Sequence, residues 1–120
     1  MSEDTIETIL VPSDLSDCAP GVVRQAAQLA AAFDAELVVM HSYELPAGLA
    51  AQAMIEASPG QAPVAVGTHV RAGVDQRMPA LVQLGTDAGV RTRALVVEGK
   101  PVETILASAV EVDAGIIVMG

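Results

Sequence analysis

Four small oxygen-bearing side chains, Ser13, Asp14, Ser16 and Asp17, crowd into a stretch that opens on Pro12 and closes on Cys18. Such side chains can accept from the orphan N–H groups of a helix that starts here, or line a ligand crevice. Asp14 fits both roles, as a ligand-binding carboxylate and as a member of a capping cluster. Covalent chemistry has less to work with, because no nucleophile is paired with a base in the way covalent catalysis requires. Cys18 reads as a small structural residue rather than a reactive thiol. His41, at the end of a strand, is a candidate site residue but reads rather as a satisfied, partly buried histidine, with no acidic or cysteine partner near it in sequence, and His69 reads as a surface residue. Two histidines without ligand spacing give no zinc site. Lys100 reads as a solvated loop residue, and Arg71 and Arg77 as lying on an exposed helix face. Neither a dinucleotide fingerprint nor a Walker loop is present. These residues predict binding rather than catalysis.

The elements around them follow from periodicity. Ile9-Leu10-Val11 is apolar on consecutive positions, as a strand buried on both faces must be, and Pro12 ends it because proline cannot donate to a ladder. Ala19 to Phe33 repeats as a helix, with Val22, Val23, Ala26, Ala27, Ala30 and Phe33 as its stripe and Pro20 in its first turn. Glu36 to His41 is a second strand, so the first three elements make a right-handed βαβ unit. Glu44 to Thr68 is broken by Pro46, Pro59, Gly60, Pro63 and Gly67 and is expected to be a mobile surface excursion, with a short helix from Leu49 to Glu56. A second long helix is expected within Val70 to Gly89, apolar at Val74, Met78, Leu81, Val82 and Leu84. It either kinks or begins at Pro79 and ends at Gly89. Val90 to Glu98 is the third strand. Pro101 opens a third helix with a stripe of Val102, Ile105, Leu106, Ala109 and Val110, and Gly115 to Met119 is the fourth strand. This order predicts an α/β fold, a doubly wound parallel sheet with helices on both faces. In such a sheet the loop at the carboxyl end of the first strand lines the ligand crevice, which places Pro12, Ser13 and Asp14 there.

Bulk properties narrow the partners. The chain has 120 residues, enough for one domain, and is 52% hydrophobic with one Phe, one Tyr and no Trp. Fifteen acidic residues against six basic give a net charge of −9, which disfavours nucleic-acid backbones and anionic membrane surfaces. A phosphorylated ligand stays open, since backbone N–H groups bind anions without cations. A single cysteine suits a reducing cytoplasm. Ser2-Glu3-Asp4 is acidic where a secretory leader is basic, and no apolar run approaches the about 20 residues of a membrane helix, so a cytoplasmic location without membrane insertion is expected.

Several segments resemble one known family in order and spacing. Ile9-Leu10-Val11-Pro12-Ser13-Asp14 is similar to the opening of the universal stress proteins, and Leu37-Val38-Val39-Met40-His41 to their second strand. Val96 to Ile105 and Val112 to Gly120 are similar to later segments. The resemblance implies a Rossmann-like sheet in the order 3-2-1-4-5, dimers and, in one branch, ATP binding. Pro12, Ser13 and Asp14 would then meet adenine and ribose, Ser42 would touch the adenine ring, and Gly120 would be the first glycine of the phosphate-binding pattern. The remaining glycines, the last helix and the fifth strand of the family have no counterpart here. The expected order is therefore 3-2-1-4, a fragment of a longer protein is expected, and binding of ATP or AMP is expected to be weakened. A stress-response module holding an adenine nucleotide is one reading, and a dimeric scaffold that works by association alone is the other. In both, Ile116 to Met119 forms a bare sheet edge that invites a homo-oligomer.

Overall fold

The structure is a computed structural model that describes residues 5–45, 53–55, 59–60 and 62–120. Its elements are β1 (Thr8–Pro12), α1 (Ala19–Phe33), β2 (Glu36–Tyr43), β3 (Met54–Ile55), β4 (Val64–Ala65), α2 (Val66–Asp87), β5 (Thr92–Glu98), α3 (Pro101–Glu111) and β6 (Ile116–Ile117). The main sheet is parallel in the order β5-β2-β1-β6, the arrangement expected as 3-2-1-4. Ile9, Leu10, Val11 and Leu37 to Met40 are all fully buried, so both faces of the central pair are covered. Ile9, Val11, Leu37 and Val39 pack against α1 and α2. Leu10, Val38 and Met40 pack beneath Ile105 and Ala109 of α3 on the opposite face.

Each αβ connection turns in the same way. The left-handed residues are Asp34, Gly89 and Asp113, and in each case the next amide reaches back to a carbonyl five residues earlier: Ala35 to Ala30, Val90 to Gly85, Ala114 to Ala109. These closures satisfy the last carbonyls of the helix and aim the chain straight into the next strand.

The structure corrects several expectations. Phe33 lies 43% exposed at the end of α1, and Leu29 packs on the core instead. α2 begins at Val66, inside the expected excursion, and runs through Pro79 without a break; an exposed proline removes a single ladder bond and the buried stripe around it holds the helix together. Most of the short helix expected from Leu49 to Glu56 lies outside the described residues, and its Met54 and Ile55 form a strand paired antiparallel with β4. The stripe of α3 divides. Ile105 and Ala109 meet the sheet, while Val102, Leu106 and Val110 are exposed. The fourth strand is shorter than Gly115 to Met119, with one further bond from the Val118 amide to Leu10. Among the described residues, no helix is long and apolar enough to cross a membrane.

α2 meets β5 through a glycine. A Cβ at Gly85 would stand 2.1 Å from the Thr92 Oγ1, and that hydroxyl is tied to the Val90 carbonyl at 2.9 Å. Gly73, on the exposed side of the same helix, has nothing within 4 Å of such an atom. Gly85→Ala is expected to destabilise the protein by about 1–3 kcal/mol through overpacking, whereas Gly73→Ala should stabilise it by about 0.5–1 kcal/mol. Urea midpoints of the two variants, compared with the parent, check both signs.

Candidate functional site

The turn leaving β1 is fixed by a set of short bonds. Because β1 and β2 run in parallel with Pro12 opposite Met40, the next residues of both strands emerge together at the carboxyl rim. The Ser13 amide donates to the Met40 carbonyl at 2.7 Å, and the Ser13 carbonyl lies 2.7 Å from Nδ1 of His41. Ser13 Oγ accepts from the Leu15 amide at 3.0 Å, Asp14 Oδ1 from the Ser16 amide at 2.9 Å, and Ser16 Oγ from the Cys18 amide at 3.3 Å. The expected capping role of this cluster is thus corrected. The N-cap of α1 is Cys18, which makes no side-chain cap, and Ser13, Asp14 and Ser16 each hold the amide two residues on. Short polar side chains compete for nearby amides in this way wherever the backbone is not yet helical.

Leu15 sits in the middle of this chain of bonds with φ +59°, a conformation that costs a branched L-residue roughly 1–2 kcal/mol. Its side chain is buried in the core under α1 and α2, and its carbonyl accepts from the guanidinium of Arg77. Arg77 is on an exposed face, as expected, yet it crosses to this turn. The bonds around Leu15 hold the strained backbone in place.

A pocket of about 390 Å³ opens at this rim. All five residues singled out from sequence line it: Pro12, Ser13 and Asp14 from the β1 turn, Ser42 from β2, and Gly120 beyond β6. A Cβ on Gly120 would stand 2.7 Å from Val22 Cγ2, so a larger residue there would have to displace the Val22 side chain of α1. The wall also includes Ile105, Met119 and His41. His41 is satisfied and half-buried, as expected, and it stands in the wall as well. The available signal was register: two apolar runs in step set Ser13 and His41 side by side.

The site's electrostatics are simple. Hydrogen bonds from the Ser16 hydroxyl and amide are the main reason the Asp14 carboxyl is held below the ordinary aspartate range, with a smaller contribution from His41. Asp14 is exposed and charged at neutral pH. No lysine or arginine is among the described residues that line the pocket, and none of the described His, Cys, Asp and Glu residues group by threes as a metal site would need. The arrangement offers one carboxylate, several hydroxyls and an apolar floor.

The sequence profile of the universal stress protein family matches residues 5–120. No curated protein matches the chain. Among solved structures, the chain is similar to a universal stress protein family member from Burkholderia pseudomallei, with TM-score 0.68 and 27% identity over 99% of this chain and 84% of the other. It is also similar to the universal stress protein from Archaeoglobus fulgidus in complex with dAMP, with TM-score 0.67 and 28% identity over 97% and 82%. A universal stress protein in complex with cAMP shares the fold, with TM-score 0.67 and 23% identity over 95% and 71%.

Carbon NMR of the Asp14 carboxyl during an acid titration is expected to show a midpoint below the ordinary aspartate value, and Ser16→Ala should move it upward. The folded value is depressed, so the linked stabilisation is present above the unfolded value and disappears as pH falls through the folded one. A midpoint at or above the ordinary value in the parent would contradict the hydrogen-bond geometry.

Proposed function

This chain belongs to the universal stress protein family, and from that premise we infer that it is a regulatory, stress-response module binding an adenine nucleotide, ATP or AMP, at the rim of β1 and β2. The observation that carries this reading is the convergence of Pro12, Ser13, Asp14, Ser42 and Gly120 on one pocket. Its volume falls within the about 300–1,000 Å³ of small-molecule sites. The dAMP complex of the Archaeoglobus fulgidus protein supports an adenine ligand. Pro12, Ile105 and Met119 supply apolar surface for the base, and Ser42 supplies a hydroxyl near it. The Asp14 carboxylate, charged at neutral pH, accepts from ribose hydroxyls. With no lysine or arginine among the described residues of the wall, the phosphates gain chiefly from backbone amides and helix N-termini. AMP and ATP should therefore bind with comparable affinity. No catalytic step is assigned, and the exposed thiol of Cys18 suits a reducing, cytoplasmic setting.

Calorimetry of the full chain with AMP and with ATP tests the reading. Similar heats and affinities are expected, and Asp14→Ala should weaken both by about tenfold or more, the usual effect of losing a hydrogen bond to a charged group. No heat with either nucleotide would sink it.

The second reading, a scaffold acting by association, is favoured by one observation. Among the described residues β6 pairs with β1 alone, and Ile117 and Met119 are exposed beside it. A bare apolar edge pairs readily with a second copy. Sedimentation should show a dimer or larger assembly, and Ile117→Lys should return it to monomer. A parent that stays monomeric at high concentration would exclude assembly through this edge.

A further inference from the structure

His41 meets Ser13 across 28 residues of sequence, with Nδ1 2.7 Å from the carbonyl oxygen. A carbonyl only accepts, so Nδ1 carries the proton, and in the neutral ring Nε2 remains an acceptor. The other polar group of Ser13, its amide, is tied to the Met40 carbonyl. Neighbouring residues of β2 therefore clamp both backbone groups of one turn residue. Two positions further on, Leu15 holds its left-handed conformation. Release of the clamp gives that strain a way out, since the turn can relax and carry Asp14 off the pocket wall.

We propose that His41 is the positioning residue of the pocket: acting through Ser13, it holds Pro12 to Asp14 in the shape that presents the Asp14 carboxylate to the hydroxyls of an adenine nucleoside, without touching the ligand. The identity of the ligand rests on the proposed function, whereas the latch between His41 and Ser13 does not.

The geometry sets a pattern for variants. The amide nitrogen of asparagine sits as many bonds from Cα as Nδ1 of histidine, and that of glutamine sits as far out as Nε2. His41→Asn therefore keeps a donor against the Ser13 carbonyl, His41→Gln displaces it, and His41→Ala removes it. A pH profile separates positioning from contact. The titratable groups on the same wall are Asp14 of the turn and Cys18 at the start of α1, while α3 and the segment after β6 bring Pro101, Ile105, Met119 and Gly120. Asp14 stays charged because its titration is depressed. Nδ1 donates in both charge states of the ring, so affinity for adenosine, which has no phosphate to titrate, should not depend on the charge of the ring.

The test uses the full chain with each of the three variants. Amide hydrogen exchange at Leu15 and Ser16 is followed by NMR without ligand, and adenosine binding by calorimetry. His41→Ala and His41→Gln are expected to speed exchange and weaken adenosine by about tenfold, the scale of one lost hydrogen bond to a backbone group in a fixed site, while His41→Asn restores both. If His41→Ala fails to fold, His41→Gln carries the comparison. Unchanged exchange in the variants lacking the Nδ1 donor would overturn the latch. Adenosine affinity kept by His41→Gln and lost by His41→Asn, or falling as the ring is protonated, would mean that Nε2 touches the ligand, and would overturn the positioning role. Absence of heat with the parent protein would overturn the nucleotide reading alone, and the exchange rates would still decide the latch.

Discussion

Parallel strands that are apolar on both faces are stable only when both faces are covered, and that requirement governs β1 and β2. Ile9, Val11, Leu37 and Val39 need a layer on one side, and Leu10, Val38 and Met40 need one on the other. α1 and α2 supply the first layer and α3 the second. Once helices occupy both faces, the chain can change direction only at the two rims. The amino rim is closed by three turns of the same type, at Asp34, Gly89 and Asp113. The carboxyl rim is left to the connections that leave the strands, and the pocket forms there. Its position follows from the way the central strands are buried.

The pocket depends on that core in a second way. Its shape resides in the turn from Ser13 to Cys18, whose conformation is costly on its own because Leu15 is left-handed. The cost is met by tertiary structure. The Leu15 side chain is seated in the core, its carbonyl is held by Arg77 of α2, and the residue two positions before it is bonded to β2. A local sequence preference would not maintain this turn in an isolated peptide. The rim is as rigid as the helices and strands that hold it, and loosening of α2 is felt at the pocket through Arg77.

What could be read from sequence follows the range of the forces involved. β1, α1, β2 and their parallel order were legible because apolar runs and 3.6-residue stripes arise within one element. All five candidate residues reached one pocket because the rim position of a strand end follows from the fold class. Phe33, Val102, Leu106 and Val110 were misjudged because a stripe marks which side of a helix is apolar and not where the neighbouring surface stops. α2 does not begin at Pro79, because an exposed proline costs a bond that the buried face of the helix outweighs. The capping role assigned to Ser13, Asp14 and Ser16 failed because the same side chains reach an amide two residues on as readily as a helical one. The Arg77 bond to Leu15 spans 62 residues and no local pattern carries it, while the His41 contact with Ser13 spans 28 and follows only from the register of β1 against β2.

Charge limits what such a pocket can hold. The protein carries a net charge of −9, and the pocket adds the Asp14 carboxylate, with no lysine or arginine among the described residues of its wall. An anionic ligand must then find local positive potential, and the starts of α1 and α3 are the nearby sources, since Cys18, Ala19 and Pro101 reach the wall. Both are poor in donors, because Pro20 and Pro101 lack an N–H in the first turns of their helices. Added phosphates gain little from these dipoles, whereas an adenine ring needs apolar surface and a ribose needs acceptors, both of which the wall contains. On the proposed reading, recognition rests on the neutral part of the nucleotide. That follows from Asp14 and the two prolines, the same features that make the rim a good turn and a weak anion site.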